Sequence, residues 1–363
     1  MQPPAASIRG FYSQYLELRQ EIVESACFSG RAGGGPRQVE DCLQRILFVR
    51  LCEAHGLVAQ GSVERCLGGS RKQIWGRLHE LLGPLDHGFA GIPTTGLFLP
   101  LTGKPEALSA RGLELLQQVC SYNLATDFGV DVLGYVIEHF DDEHLADTKT
   151  HAHTRRRQGV FYTPSHIATH LVDQTLGRWF AQTRASLGLH ARSPIATWEA
   201  YRTALGNLRI LDPACGAGSL LAEAFTRILN EHTIIQENLS RLRGRAEPSV
   251  DGFEVIKNNL YGLDNQARAI RGAACCLWLR AAKFGGRRAR GFNLVHGNAL
   301  FDDPKIIEHA LKWEIAFPEV TRVGGFDVIL GNPPYDVLAG RELGQPLGPV
   351  LDAIARDPVL KQS

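Results

Sequence analysis

The chain has 363 residues, 44% of them hydrophobic and 21% charged, which leaves room for two domains or one large one with an ordinary core. A formal net charge of +1 excludes a globally basic nucleic-acid binder, so any such contact needs local basic patches. Eight cysteines without a C-x-x-C pair exclude a disulfide framework and a zinc pattern; they read as buried thiols of a reducing compartment. No basic-then-apolar leader and no 18-residue apolar span stand out, so the expectation is a cytoplasmic protein with no membrane contact.

Taken in chain order, residues 1–150 read as mostly helical. Over 38–58, Val39, Leu43, Ile46, Leu47 and Leu51 recur at three- and four-residue spacing and predict a helix with one apolar stripe. Similar helices are expected over 71–85, 110–123 and 130–140. Glycine- and proline-rich loops are expected over 30–37 and 91–105. The segment 141–157, DDEHLADTKTHAHTRRR, is a polar junction. Its His151 and His153 are expected to be solvated rather than metal ligands, and no metal site is expected anywhere. Arg155, Arg156 and Arg157 are either a solvated run or a phosphate-facing patch.

After residue 158 the texture changes to strand–helix alternation. Strands are expected at 208–213, 259–264, 292–300 and 326–331, and helices at 219–235 and 265–283, with an insertion over 241–252. Apolar strands alternating with helices predict an α/β fold with an open parallel sheet, covered on both faces.

Four segments at the ends of those strands carry candidate chemistry. LDPACGAGS (211–219) puts Gly216 and Gly218 between a strand and a helix start, where bare backbone and unpaired N–H groups meet a ligand. The same segment also serves as a plain tight turn. Asp212, just ahead of the turn, favours a positively charged ligand group over a phosphate. Asp264 ends the second strand, where an acid accepts ribose hydroxyls, or caps the helix that follows. It lies 46 residues after Gly218 (264 − 218), against the usual separation of about 20, hence the inferred insertion. Asn298 in HGNAL reads either as a base-edge contact or as a turn residue. In FDVILGNPPY (326–335) two prolines end the strand and hold an amide and a tyrosine at its carboxyl end. An acceptor oxygen beside a rigid carbonyl suits an exocyclic amino group, and the aromatic suits a planar base.

The ordered set GVFYTP, DPACGAG, GLD, GNAL and GNPPY, over about 158–336, resembles the adenine-N6-specific DNA methyltransferases, in particular the methylase parts of type I and type IIG restriction–modification enzymes. The resemblance implies a Rossmann-like doubly wound methyltransferase core over 151–363, preceded by a mostly helical domain over 1–150. It implies S-adenosylmethionine as methyl donor. Phe161, Tyr162 and Thr163 would close over the cofactor's methionine end. Asp212, Ala214, Gly216 and Gly218 would cradle that end, and Asp264 would hold the ribose. Asn298 and Ala299 would lie near the cofactor's adenine. Asn332 and Pro333 would accept hydrogen bonds from the amino group of an adenine flipped out of double-stranded DNA, with Pro334 fixing the turn and Tyr335 stacking on the base.

Only 336–363 follow the GNPPY motif, whereas the family continues with further strands and a recognition domain. The expectation is therefore a truncated reading frame, a fragment of a much longer chain, or a split enzyme completed by a partner chain, inactive or poorly soluble alone, with a specificity or restriction subunit as a further partner. Two alternatives share the motifs: a non-catalytic remnant, and a methyltransferase acting on protein glutamine or ribosomal RNA.

Overall fold

The computed structural model describes residues 8–25, 35–86, 97–98, 108–124, 131–139, 163–284, 291–305 and 309–332. The junction 141–157, with its histidines and arginines, lies outside the described residues. So do Phe161, Tyr162, Pro333, Pro334, Tyr335 and all that follows. The chain divides into two compact units. One comprises 1–136 with 251–253 and 275–290, and the other comprises 137–250, 254–274 and 291–363.

The first unit is helical. It contains α1 (Ile8–Glu24), α2 (Gly35–Ala54), α3 (Ser62–Leu67), α4 (Arg71–Leu82) and α5 (Ala110–Cys120), with most of α6 (Asp131–His139). Phe11, Tyr15, Leu18 and Ile22 line one face of α1 and are buried, as are Val39, Leu43, Ile46, Leu47 and Leu51 of α2, the stripe expected from sequence. The helix expected over 71–85 gives way at Leu82 to a 3-10 turn, Gly83–Asp86, where Pro84 has no N–H to continue the α ladder. Among the described residues Glu40, Arg45 and Glu53 are buried charges of this unit. The Glu40 carboxylate accepts from the Tyr15 hydroxyl (3.1 Å) and the Gln44 amide (2.9 Å), with the Arg19 guanidinium 3.4 Å away. Arg45 donates to the Leu82 carbonyl (2.9 Å) and stacks 5.0 Å over the Phe98 ring. The seven cysteines among the described residues are free and buried, and burial pushes the thiols of Cys42 and Cys120 up to about 12.

The second unit is α/β. It opens with two helices that sequence reasoning missed, α7 (Ser165–Ser186) and α8 (Ile195–Asn207). They are followed by β1 (Ile210–Asp212), α9 (Ser219–Arg243), α10 (Gly252–Asn259), β2 (Leu260–Asp264), α11 (Ala267–Ala281), β3 (Asn293–His296), the short helices α12 (Trp313–Ala316) and α13 (Pro318–Arg322), and β4 (Val328–Ile329); the start of α10 and the last turns of α11, from Cys275, belong to the first unit. The four strands form one parallel sheet in the order β3-β2-β1-β4. Asp212 is in register with Gly262, and Asp264 with His296, so these residues share a face. On that face α9 packs closely: a Cβ on Gly262 would meet Leu221 at 2.9 Å and the Cys215 sulfur at 3.1 Å. The opposite face carries Leu211, Tyr261, Leu263 and Val295, covered by Leu311, Trp313, Phe317, Val320 and Phe326.

Several element bounds differ from expectation for local reasons. The helix expected over 219–235 continues to Arg243. Arg243 pairs there with Glu247 and Glu199, and the helix stops at Gly244 in the left-handed region (φ 65°). The insertion therefore shrinks to 244–251, and α10 fills the rest. The third strand ends at His296 rather than at 300, because Asn298 closes a turn: its side-chain oxygen accepts the Leu300 N–H (2.9 Å). The fourth strand is regular only at Val328 and Ile329, although the Leu330 N–H still donates to the Leu211 carbonyl (2.8 Å). Among the described residues β4 sits at the sheet edge, with Ile329 62% exposed.

The helical layer over the first face is pinned by one polar knot. The Tyr201 hydroxyl of α8 donates to the Glu231 carboxylate of α9 (2.7 Å) and accepts from Arg184 of α7 (3.2 Å), while Arg184 also pairs with Glu231. Burial, reinforced by the bond to Glu231, raises the Tyr201 phenol well above its ordinary value. Next to the knot, burial and then the Arg202 charge push the His232 imidazole down to about 4 from 6.5, against an opposing pull from Glu231. Folding therefore favours the neutral ring. That contribution is complete above about pH 6.5 and is lost as pH falls towards 4, by up to roughly 3 kcal/mol at about 1.4 kcal/mol per pH unit. Urea unfolding at a series of pH values should show this acid loss, and His232→Gln should flatten it; an unchanged acid limb would contradict the assignment.

Candidate functional site

The site lies at the carboxyl ends of the strands. β1 ends in Asp212, which is 1% exposed and accepts the Ala214 N–H on Oδ1 (3.1 Å). The chain then turns into α9 through Gly216 (φ 53°) and Gly218 (φ 88°), both in the region that favours glycine. A Cβ at Gly218 would lie 3.1 Å from the Ala273 Cβ, so the backbone there is bare because nothing larger fits. Gly218 is also the residue ahead of α9, and no side chain caps that helix. The first N–H groups of a 25-residue helix thus lie beside the glycine turn.

Asp264 locks this turn to β2. Its Oδ2 accepts the Gly216 N–H (2.9 Å) and its Oδ1 the Gln266 N–H (2.9 Å). A backbone bond from Cys215 N to the Leu263 carbonyl (2.9 Å) runs alongside. Burial raises the Asp264 carboxyl above its usual range, while the two N–H bonds and the neighbouring His296 pull it back. Each oxygen has one backbone partner, and a carboxylate oxygen keeps a second lone pair for a hydroxyl donor. Asp264 is therefore both a structural cap and a candidate ligand contact.

At the end of β4, Asn332 donates its Nδ2 to the Oγ1 of Thr163, 169 residues earlier (3.1 Å). Thr163 is buried. An amide held through its NH2 presents an oxygen that only accepts. This pairing of the GVFYTP segment with the GNPPY segment was not legible in the sequence.

Of the residues singled out, Asp212, Ala214, Gly216, Gly218 and Asp264 therefore form one patch, and Thr163 and Asn332 form a pair at the neighbouring strand end. Asn298 has its side-chain oxygen in a turn and its N–H on the His309 carbonyl (2.8 Å), and Ala299 packs into the aromatic face of the sheet. His296 shares the face of Asp264 and carries its Nε2 2.9 Å from the Asn265 carbonyl; only its place at the strand end would have flagged it. Among the described residues no cluster of three or more His, Cys, Asp or Glu could hold a metal. No described helix is long and apolar enough to cross a membrane.

A four-stranded parallel sheet with a glycine turn after β1 and an acid at the end of β2, preceded by a helical region, is an α/β methyltransferase fold. Comparison with known proteins agrees. Residues 258–342 match the family model of the Eco57I restriction-modification methylase, and 203–282 match that of the RMKL-like methyltransferase domain. Among solved structures, the Type IIL restriction-modification enzyme MmeI in complex with DNA is similar at a TM-score of 0.65 and 17% identity, over 99% of this chain and 47% of that one. The DrdV–DNA complex matches at a TM-score of 0.44 and 15% identity, over 96% and 29%. The chain thus spans about half the length of MmeI. A search of curated proteins finds no match.

Replacing one Asp264 oxygen with an NH2 should expose the value of the lock. Asp264→Asn sets two donors against each other at Gly216 or Gln266, and should cost about 1–3 kcal/mol. The urea midpoint should fall accordingly, and an unshifted midpoint would show that the lock contributes nothing.

Proposed function

We propose that the chain is the cofactor-binding and catalytic part of an adenine-N6 DNA methyltransferase of a restriction–modification system. The observation that carries this reading is the Thr163–Asn332 pair standing at the strand end beside the Asp212–Gly216–Gly218–Asp264 patch. The two family matches and the MmeI-like fold support it.

The patch fits S-adenosylmethionine. Buried Asp212 suits an ammonium group, the glycine turn offers bare backbone, and Asp264 suits two hydroxyls. When bound, that cofactor supplies an electrophilic sulfonium methyl. The chain's own residues then have positioning work. The Asn332 oxygen and the Pro333 carbonyl accept the two N–H bonds of the target amino group, which turns the nitrogen lone pair out of the ring. Thr163 fixes the amide that does this. In this reading Pro334 would fix the turn and Tyr335 would stack on the base, once that base has left the duplex. Such alignment of two reactants needs no covalent nucleophile. In this reading Phe161 and Tyr162 would close the cofactor end, with Ala214 lining it, and Asn298 and Ala299 would lie towards its adenine from the turn after β3. The location is cytoplasmic, and a specificity or restriction subunit is a partner in this account.

A second reading keeps the patch and changes the acceptor to a glutamine amide or a ribosomal RNA base. Mapping N6-methyladenine across the genome of the natural host separates the two. Deleting the gene should erase the mark from one short sequence, and Asn332→Ala should lower methylation there by about 10²–10³-fold, as loss of a transition-state hydrogen bond does. An unchanged methylation map would contradict the proposal.

A further inference from the structure

The second unit holds a cavity at the end of the sheet opposite to the candidate site. Asn207 closes α8 just ahead of β1, Lys257 and Asn258 lie at the end of α10 just ahead of β2, and Asn293 opens β3. Together with Arg209 and the rings of Tyr261 and Phe317 they line a recess of about 550 Å³. β2 is five residues long, so at about 3.3 Å per residue this end stands roughly 13 Å from Asp264. Close-packed interiors leave few voids larger than a water, and a recess of this volume falls in the range of small-molecule sites.

Side chains hold the frame of the recess. Asn293 donates its Nδ2 to the carbonyls of Lys257 (2.7 Å) and Leu260 (3.2 Å), which ties the start of β3 to the end of α10 and leaves the amide oxygen as an acceptor. Asn259 donates to the carbonyls of Leu205 (2.8 Å) and Leu208 (2.7 Å), which ties α10 to the end of α8. The Arg209 N–H donates to the Asp327 carboxylate (2.8 Å), and its guanidinium to the Asn207 carbonyl (3.2 Å). Burial raises the Tyr261 phenol, and the charge and hydrogen bond of Arg209 act against that rise. A guanidinium has more N–H donors than these bonds use. By contrast, the exposed side chains of Asn207, Lys257 and Asn258 make no hydrogen bond or ion pair among the described residues. A fixed frame around unengaged polar groups is the construction of a preformed site.

The lining selects a chemistry. Arg209 and Lys257 bring two cations against the single carboxylate of Glu319, which favours an anion. A guanidinium fork beside an ammonium suits a phosphate. Amides with donor and acceptor both unengaged suit the edge of a base, and a carboxylate suits sugar hydroxyls. We infer that this recess binds a nucleoside phosphate, its phosphate on Arg209 and Lys257 and its base against Asn207 and Asn258. It is a second small-molecule site, and it does not rest on the methyl-transfer reading.

The test titrates methylanthraniloyl-ADP into the whole chain and follows its anisotropy, with and without saturating S-adenosylmethionine. One site should fill, unlabelled ADP should empty it, and S-adenosylmethionine should leave it occupied. Inorganic phosphate at the same concentration should not compete. Lys257→Gln should weaken binding at least about tenfold and Asn258→Ala several-fold, with the urea midpoint of each variant unchanged because neither side chain is bonded. Absence of binding, or wild-type affinity in both variants, overturns the inference. Displacement by S-adenosylmethionine also overturns it, since the analogue then sits in the strand-end patch. Equal competition by inorganic phosphate overturns the nucleoside assignment and leaves a simple anion site. None of these outcomes bears on the genomic methylation map, which decides the proposed function separately.

Discussion

The arrangement depends on one half-buried carboxylate. Asp264 ends β2 and takes the N–H of Gly216 from the turn after β1, while its second oxygen starts α11 through Gln266. Two strand ends, a glycine turn and a helix start are thereby fixed by one side chain. Burial raises its carboxyl above the usual range, and the two backbone donors and His296 act against that rise. Loss of that balance would free the glycine turn, and with it the bare backbone that makes the strand ends a binding surface.

The sheet around this lock is asymmetric. One face carries Asp212, Asp264 and His296 and is closed by α9, whose Leu221 approaches Gly262 too closely to admit a side chain there. The other face is sealed by a compact aromatic group, Tyr261, Trp313, Phe317 and Phe326, supplied by a stretch with little regular structure. The acids thus stand on the first face and the aromatic packing on the second.

The sequence made much of this legible because its signals were local. The strand order of motifs, the glycine turn and the two acids at strand ends all follow from spacing within single segments. What it hid was long-range or competitive. The Thr163–Asn332 bond spans 169 residues and leaves no periodic trace. α10 follows a segment rich in Gly, Pro and Arg that reads as a loop, and Arg243 of that segment instead extends α9 by pairing with Glu199 and Glu247. Asn298 was open between base contact and turn, and its oxygen is in the turn. α7 and α8 gave no motif at all, although their packing on α9 rests on the Tyr201–Glu231–Arg184 knot.

The central claim is that the patch built on Asp264 is a site for S-adenosylmethionine. Isothermal titration of the cofactor into the purified chain tests it most directly. The account predicts one site per chain, weakened at least about tenfold by Asp264→Ala, since two hydroxyl contacts and the glycine turn depend on that carboxylate. Absence of binding by the folded wild-type chain, or equal binding by the variant, would contradict it.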